Sequence, residues 1–82
     1  MKKALYKACY NAYKSAKAYY DICCDNNDSL AFTHAYASLA DKLEGISSVG
    51  LECEELPYND FIELLNYQQT MVKKFEMQFG DA

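Results

Sequence analysis

The chain has 82 residues, enough for one domain and too few for a two-domain enzyme, and a polypeptide of this size buries only ~60–65% of the surface its unfolded form exposes. Hydrophobic residues make up 51% and charged residues 24%, with three Gly and one Pro. That composition excludes a disordered chain and argues against a β-sandwich or a collagen-like repeat.

The formal net charge of −4 conceals an asymmetry along the chain. Residues 1–20 hold five Lys and no acid, whereas residues 21–82 hold three Lys and twelve acids, so the two parts carry +5 and −9. The sequence contains no Arg, which weakens a nucleic-acid reading because bidentate phosphate and guanine contacts need its planar fork.

The first element runs from residue 2 to about 25. It lacks Gly and Pro, and its apolar residues Leu5, Cys9, Ala12, Ala16, Tyr19 and Cys23 recur in steps of four and three, the rhythm of an amphipathic helix. Beside this stripe lies a second row, Tyr6, Tyr10, Tyr13, Lys17, Tyr20 and Cys24, and on the other side a third, Ala4, Ala8, Asn11, Ser15, Ala18 and Ile22. At 100° per residue the three rows span about 200° of arc, more than two neighbours in a bundle need. The Tyr row is accordingly expected to be partly exposed and to form a protein contact, since Tyr combines large area with few rotors.

Asp25-Asn26-Asn27-Asp28-Ser29 is a capping and turning run, with Asp28 or Ser29 suited to cap the next helix. That helix is expected over 29–49 on the stripe Phe32, Tyr36, Leu39, Leu43 and Ile46, stopping at Gly50 rather than Gly45. An acidic linker with Glu52, Glu54, Glu55 and Pro57 follows, and a short acidic loop of this kind is ordinarily just solvated. A third helix is expected over 59–79, opened by Asn59 or Asp60, with Asp60 and Glu63 in capping-box spacing, Phe61, Leu65, Val72, Phe75 and Phe79 on its stripe, and Gly80 past its end. Gln68 falls at the centre of that apolar arc. It either escapes to the rim or is bonded to a polar group such as Asn11, Ser15 or Tyr36. Three such helices with turn-rich joints predict an all-α antiparallel three-helix bundle, one domain over 1–82.

Cys9, Cys23, Cys24 and Cys53 show neither CxxC nor disulfide-scaffold spacing, and no signal peptide or long apolar run is seen, so a cytoplasmic, reduced chain that does not enter a membrane is expected. A metal reading would join His34 to Cys23, Cys24, Asp25 and Asp28. His34, however, lies about 160° from the centre of its helix's stripe, which points it to solvent beside Asp41, and one His with two adjacent Cys lacks regular zinc-ligand spacing. As a nucleophile, Cys53 between Glu52 and Glu54 is disfavoured by their charge, and Cys9 and Cys23 read as buried small hydrophobes. No phosphate loop, GxSxG or HExxH pattern occurs. No enzyme, metal or other cofactor is expected.

The functional expectation is a small non-enzymatic protein-interaction module using Tyr6, Tyr10, Tyr13, Lys17 and Tyr20, either to form a homodimer or to cover a partner. Chains of this class include adaptors and inhibitors, among them phage or mobile-element proteins that block a host nucleic-acid enzyme; that extension is analogy of class. The alternative is a weak nucleic-acid or anionic-surface binder through the same Lys/Tyr face, disfavoured by the acidic remainder. The lysines at 2, 3, 7, 14 and 17 are expected mainly to face the chain's own acids, Asp41, Glu44, Glu52, Glu54 and Glu55.

Overall fold

The computed structural model describes residues 2–52 and 57–80, the side chains of residues 2 and 50–52 excepted. Three helices make up the fold: α1 (Lys2–Asp25), α2 (Ala31–Glu52) and α3 (Tyr58–Phe79). They pack pairwise as an antiparallel bundle. Tyr6 meets Tyr67 and Tyr20 meets Phe79, so α1 and α3 run the same way. Phe32 stacks on Phe75 while Leu43 meets Gln68, so α2 runs against them. No helix among the described residues is long and apolar enough to cross a membrane.

The first joint is built by its side-chain chemistry. Asp28 N donates to Cys23 O at 2.9 Å and Asn27 N to Cys24 O at 3.0 Å, the paired bonds of a Schellman motif. The motif needs one residue in the left-handed region, and Asn27 takes it at φ 58°, as Asn does more readily than other non-Gly residues. Asp28 then turns the chain again: its Oδ1 accepts from Leu30 N at 2.9 Å and its carbonyl accepts from Ala31 N. The second helix therefore starts at Ala31 rather than 29, and it continues past Gly45 and Gly50 to Glu52. At the second joint α3 starts at Tyr58 behind Pro57, which offers no side-chain cap. Asp60 lies in the first turn, where its charge favours the helix dipole, so the expected Asp60/Glu63 capping box is replaced by an earlier start.

The core is Leu5, Cys9, Ala12, Tyr13 and Ala16 of α1, Ala35, Leu39 and Leu43 of α2, and Leu64, Met71 and Phe75 of α3. Small residues are buried on both helices, Ala12 and Ala16 on α1 and Ala31 and Ala35 on α2, and the α1–α2 pairing is the most extensive of the three. Aromatic rings fill the side towards α3, where Phe75 touches Tyr20, Phe32 and Phe79. The expected stripes are displaced accordingly. Tyr19 is exposed and Tyr13 takes its place, and on α3 Leu64, Gln68 and Met71 lie deeper than Phe61, Leu65 and Val72.

Gln68 is buried and ties the three helices together. Its Nε2 donates to Leu43 O at 3.0 Å and lies 3.6 Å from Cys9 Sγ, and its Oε1 accepts from Ser47 Oγ at 2.7 Å. These partners replace Asn11, Ser15 and Tyr36. No buried side-chain polar atom among the described residues is left without a partner, as a packed core of this size requires.

Candidate functional site

Three of the five interaction residues expected on α1, Tyr6, Tyr13 and Tyr20, turn towards α3. The Tyr6 ring lies 4.7 Å from that of Tyr67, and the Tyr20 ring 4.4 Å from that of Phe79, both half-buried. Tyr13 is only 7% exposed and its hydroxyl donates to Gln78 Oε1 at 3.1 Å, which corrects the expectation that this ring is open to a partner. Lys17, half-buried, holds its ammonium 5.4 Å from the centroid of the Tyr13 ring, and Lys74 of α3 stands 6.0 Å from the same ring. Two cations over one ring use its negative face. Of the five, Tyr10 alone remains open, at 46%, with Lys14 Nζ 5.4 Å from its centroid.

The surplus apolar arc of α1 lies mainly elsewhere. Ala4, Asn11, Ser15, Ala18 and Ile22, the row opposite the tyrosines, are exposed, and Tyr19 joins them at the edge. Lys3, Lys7 and Lys14 are exposed as well. Among the described residues none of Lys3, Lys7, Lys14 and Lys17 has a carboxylate within ion-pair distance. The contacts of Lys14 and Lys17 are to aromatic rings, so the expected pairing with Asp41 and Glu44 is not made by these four lysines; Glu54 and Glu55, and the side chains of Lys2 and Glu52, lie outside the described residues. Exposed side by side on α1 are therefore a lysine edge, one tyrosine ring and a flat strip of small residues.

A second cluster forms at the α1–α2 turn. Cys23 Sγ, an oxygen of Asp28 and a ring nitrogen of His34 all lie within 4.8 Å of one another. His34 is exposed, as expected, but its Nδ1 meets Asp28 Oδ2 at 2.8 Å rather than standing beside Asp41. The angular argument considered α2 alone. In the first turn of a helix a side chain leans back towards the N-terminus, and the Asx turn has placed Asp28 there. The Schellman bond from Asp28 N to Cys23 O brings the carboxylate over the thiol from the other side.

Electrostatics at this cluster oppose nucleophilic use. Burial, and then the charge of Asp28, push the Cys23 thiol up from its ordinary pKa, and the thiol hydrogen-bonds to the carboxylate. The Leu30 N–H, and then His34, hold the Asp28 carboxyl below its ordinary value. Asp28 stands between sulfur and imidazole, whereas an activated thiolate needs the imidazole beside it. What the three groups share is the capacity to ligate. Of the other thiols, Cys9 is fully buried and pushed up by desolvation, Cys24 is exposed, and Cys53 lies outside the described residues.

Comparison with known protein families, with curated proteins and with solved structures found no match.

Proposed function

We propose that the protein is a non-catalytic interaction module, an adaptor or inhibitor, that binds an acidic protein surface through the exposed side of α1. The observation that carries this reading is the state of the lysines. Lys3, Lys7 and Lys14 are exposed without carboxylate partners among the described residues, so their charge is free to meet an outside anion. Beside them Tyr10 offers an aromatic ring and Ala4, Asn11, Ser15 and Ala18 offer a surface low enough for a second backbone to come close. The contribution of Tyr13, Tyr6, Tyr20 and Lys17 is to hold this face on α3 rather than to touch the partner. A protein is favoured over a nucleic acid because guanidinium is lacking and the rest of the chain is acidic.

The test is capture of partners from source cells with wild type, Tyr10→Ser, and a Lys3→Gln/Lys7→Gln/Lys14→Gln variant, alongside titration of each with single-stranded DNA and RNA. The reading expects a discrete acidic protein whose affinity falls about 30-fold or more with Tyr10→Ser, the size of a hot-spot loss, and which weakens with salt and with the lysine substitutions. Oligonucleotide binding that collapses with the lysine variant, or a partner indifferent to Tyr10, would replace it. A salt-resistant dimer in sedimentation would move the contact to a second copy of the chain.

A further inference from the structure

We propose that Cys23, Asp28 and His34 form a site for a divalent transition ion of the zinc type, with a fourth position open to solvent. The sulfur, oxygen and nitrogen donors, within 4.8 Å of one another, are the donor types zinc combines. Calcium and magnesium, which select oxygen alone, do not suit a thiol and an imidazole.

The placement of the donors is built into the backbone. Cys23 is fixed by burial on the inner face of α1. The Schellman motif sets Asp28 over it, and the Leu30 N–H holds one carboxylate oxygen, Oδ1, leaving Oδ2 turned to His34. His34 offers Nδ1 from the first turn of α2. Three donors from within one short stretch of chain are thus oriented before any ion arrives, and the hydrogen bond on Oδ1 supplies the outer support that fixes a ligand's direction.

The geometry needs only small adjustment. Metal–ligand lengths of ~2.0–2.3 Å place tetrahedral donors about 3.3–3.6 Å apart. The His34–Asp28 contact of 2.8 Å must therefore open by roughly half an ångström, and the sulfur, within 4.8 Å of the other two, must close on them by about 1.3 Å at most. Side-chain rotation on the exposed His34 provides this. The ion takes the place of the Cys23 thiol proton, which leaves to solvent, and of the proton that His34 Nδ1 shares with Asp28 Oδ2, which leaves to solvent while Nε2 carries the remaining ring proton; the carboxylate exchanges its bonds to thiol and imidazole for a bond to the metal and keeps the Leu30 N–H on Oδ1. Sulfur lies on the buried side and the imidazole on the exposed side, so the ion enters from solvent and water completes its shell. Bound there, it would pin the end of α1 to the start of α2.

The experiment titrates the reduced full-length chain with Zn2+ against a chromophoric chelator, and with Co2+ followed by absorption. The expected result is one ion per chain, a thiolate-to-cobalt charge-transfer band, and a rise in melting temperature with Zn2+. The band should vanish in Cys23→Ser, and His34→Gln should weaken binding at least about tenfold, while Cys24→Ser and Cys53→Ser leave affinity unchanged. Should Cys23→Ser lose its helical signal, His34→Gln, an exposed position, decides alone. Absence of stoichiometric binding, a band that survives Cys23→Ser, an affinity unaltered by His34→Gln, or one lost with Cys24→Ser or Cys53→Ser overturns the site.

Discussion

Replacing Gln68 by Met keeps the length and roughly the volume of the side chain while removing both amide functions. In the native protein the amide donates to Leu43 O at 3.0 Å and accepts from Ser47 Oγ at 2.7 Å. Two ordinary buried hydrogen bonds contribute about 1 kcal/mol each, and the better burial of a thioether offsets part of that loss. Ser47 is not orphaned, because its hydroxyl already lies 3.2 Å from Leu43 O. Gln68→Met is therefore expected to cost ~1 kcal/mol and lower the melting temperature by roughly 4–8 °C, whereas Gln68→Ala adds a cavity and costs ~2–4 kcal/mol. Ser47→Ala should cost ~1 kcal/mol in the wild type, where it leaves Oε1 buried and unpaired, and almost nothing in the Gln68→Met background. Urea unfolding of the four proteins of this cycle, followed by far-ultraviolet circular dichroism, gives the coupling directly, with an expected value of ~0.5–1.5 kcal/mol. Additivity within about 0.3 kcal/mol, or a Gln68→Met protein as stable as wild type, would show that the amide does not tie α2 to α3.

Other expectations follow from single contacts. Tyr10→Ser should change stability by no more than ~0.5 kcal/mol, while Tyr13→Ala should cost ~3–5 kcal/mol, and thermal melts of the pair separate an exposed ring from a core one. Asn27→Ala should cost ~1–2 kcal/mol because a Cβ without a polar group disfavours the left-handed region, and Asn27→Gly should be neutral or stabilising; chemical denaturation measures both. In a Cys53→Ser background, iodoacetamide should label Cys24 first, with Cys9 and Cys23 reacting only as the bundle opens, since both are buried and their thiols are pushed up. The Asp28 carboxyl is held below its ordinary value in the folded state, so its support of α2 is complete above that ordinary value and is lost as the pH falls through the lower, folded one. Amide exchange at Leu30, measured by NMR, should therefore lose protection in acid, and Asp28→Ala should lack that protection at neutral pH.

The helices were legible because period and punctuation agree: no Gly or Pro interrupts residues 2–25, and the Asp25–Ser29 run can only turn. Which residue of each stripe lies deepest was less so. Tyr13 and Tyr19 flank the same alanines on α1, and the choice between them rests on which side of α1 meets α3, where Gln78 and Lys74 receive Tyr13, a tertiary fact that periodicity does not contain. The capping box failed because the helix starts at Tyr58 behind Pro57, which puts Asp60 inside the first turn and not at the N-cap position. The turn cluster was missed for a different reason. Angles counted along α2 describe that helix against its neighbours and leave out the Asx turn before it, yet the signal was present in Asn27-Asp28 followed six residues after Asp28 by His34. Gln68 stood out as an anomaly; its partners did not, since Ser47 and a backbone carbonyl enter only through the pairing of α2 with α3.

The central claim, that α1 binds a protein through its Lys3/Lys7/Tyr10/Lys14 edge, is tested most directly by photo-crosslinking in source cells with a benzophenone amino acid at position 10 and, as a control, at the exposed Thr33 of α2. The account predicts one acidic protein joined at position 10, absent at position 33 and lost when Lys3, Lys7 and Lys14 are changed to Gln. Equal crosslinking from both positions, or adducts at position 10 that are nucleic acid rather than protein, would contradict it.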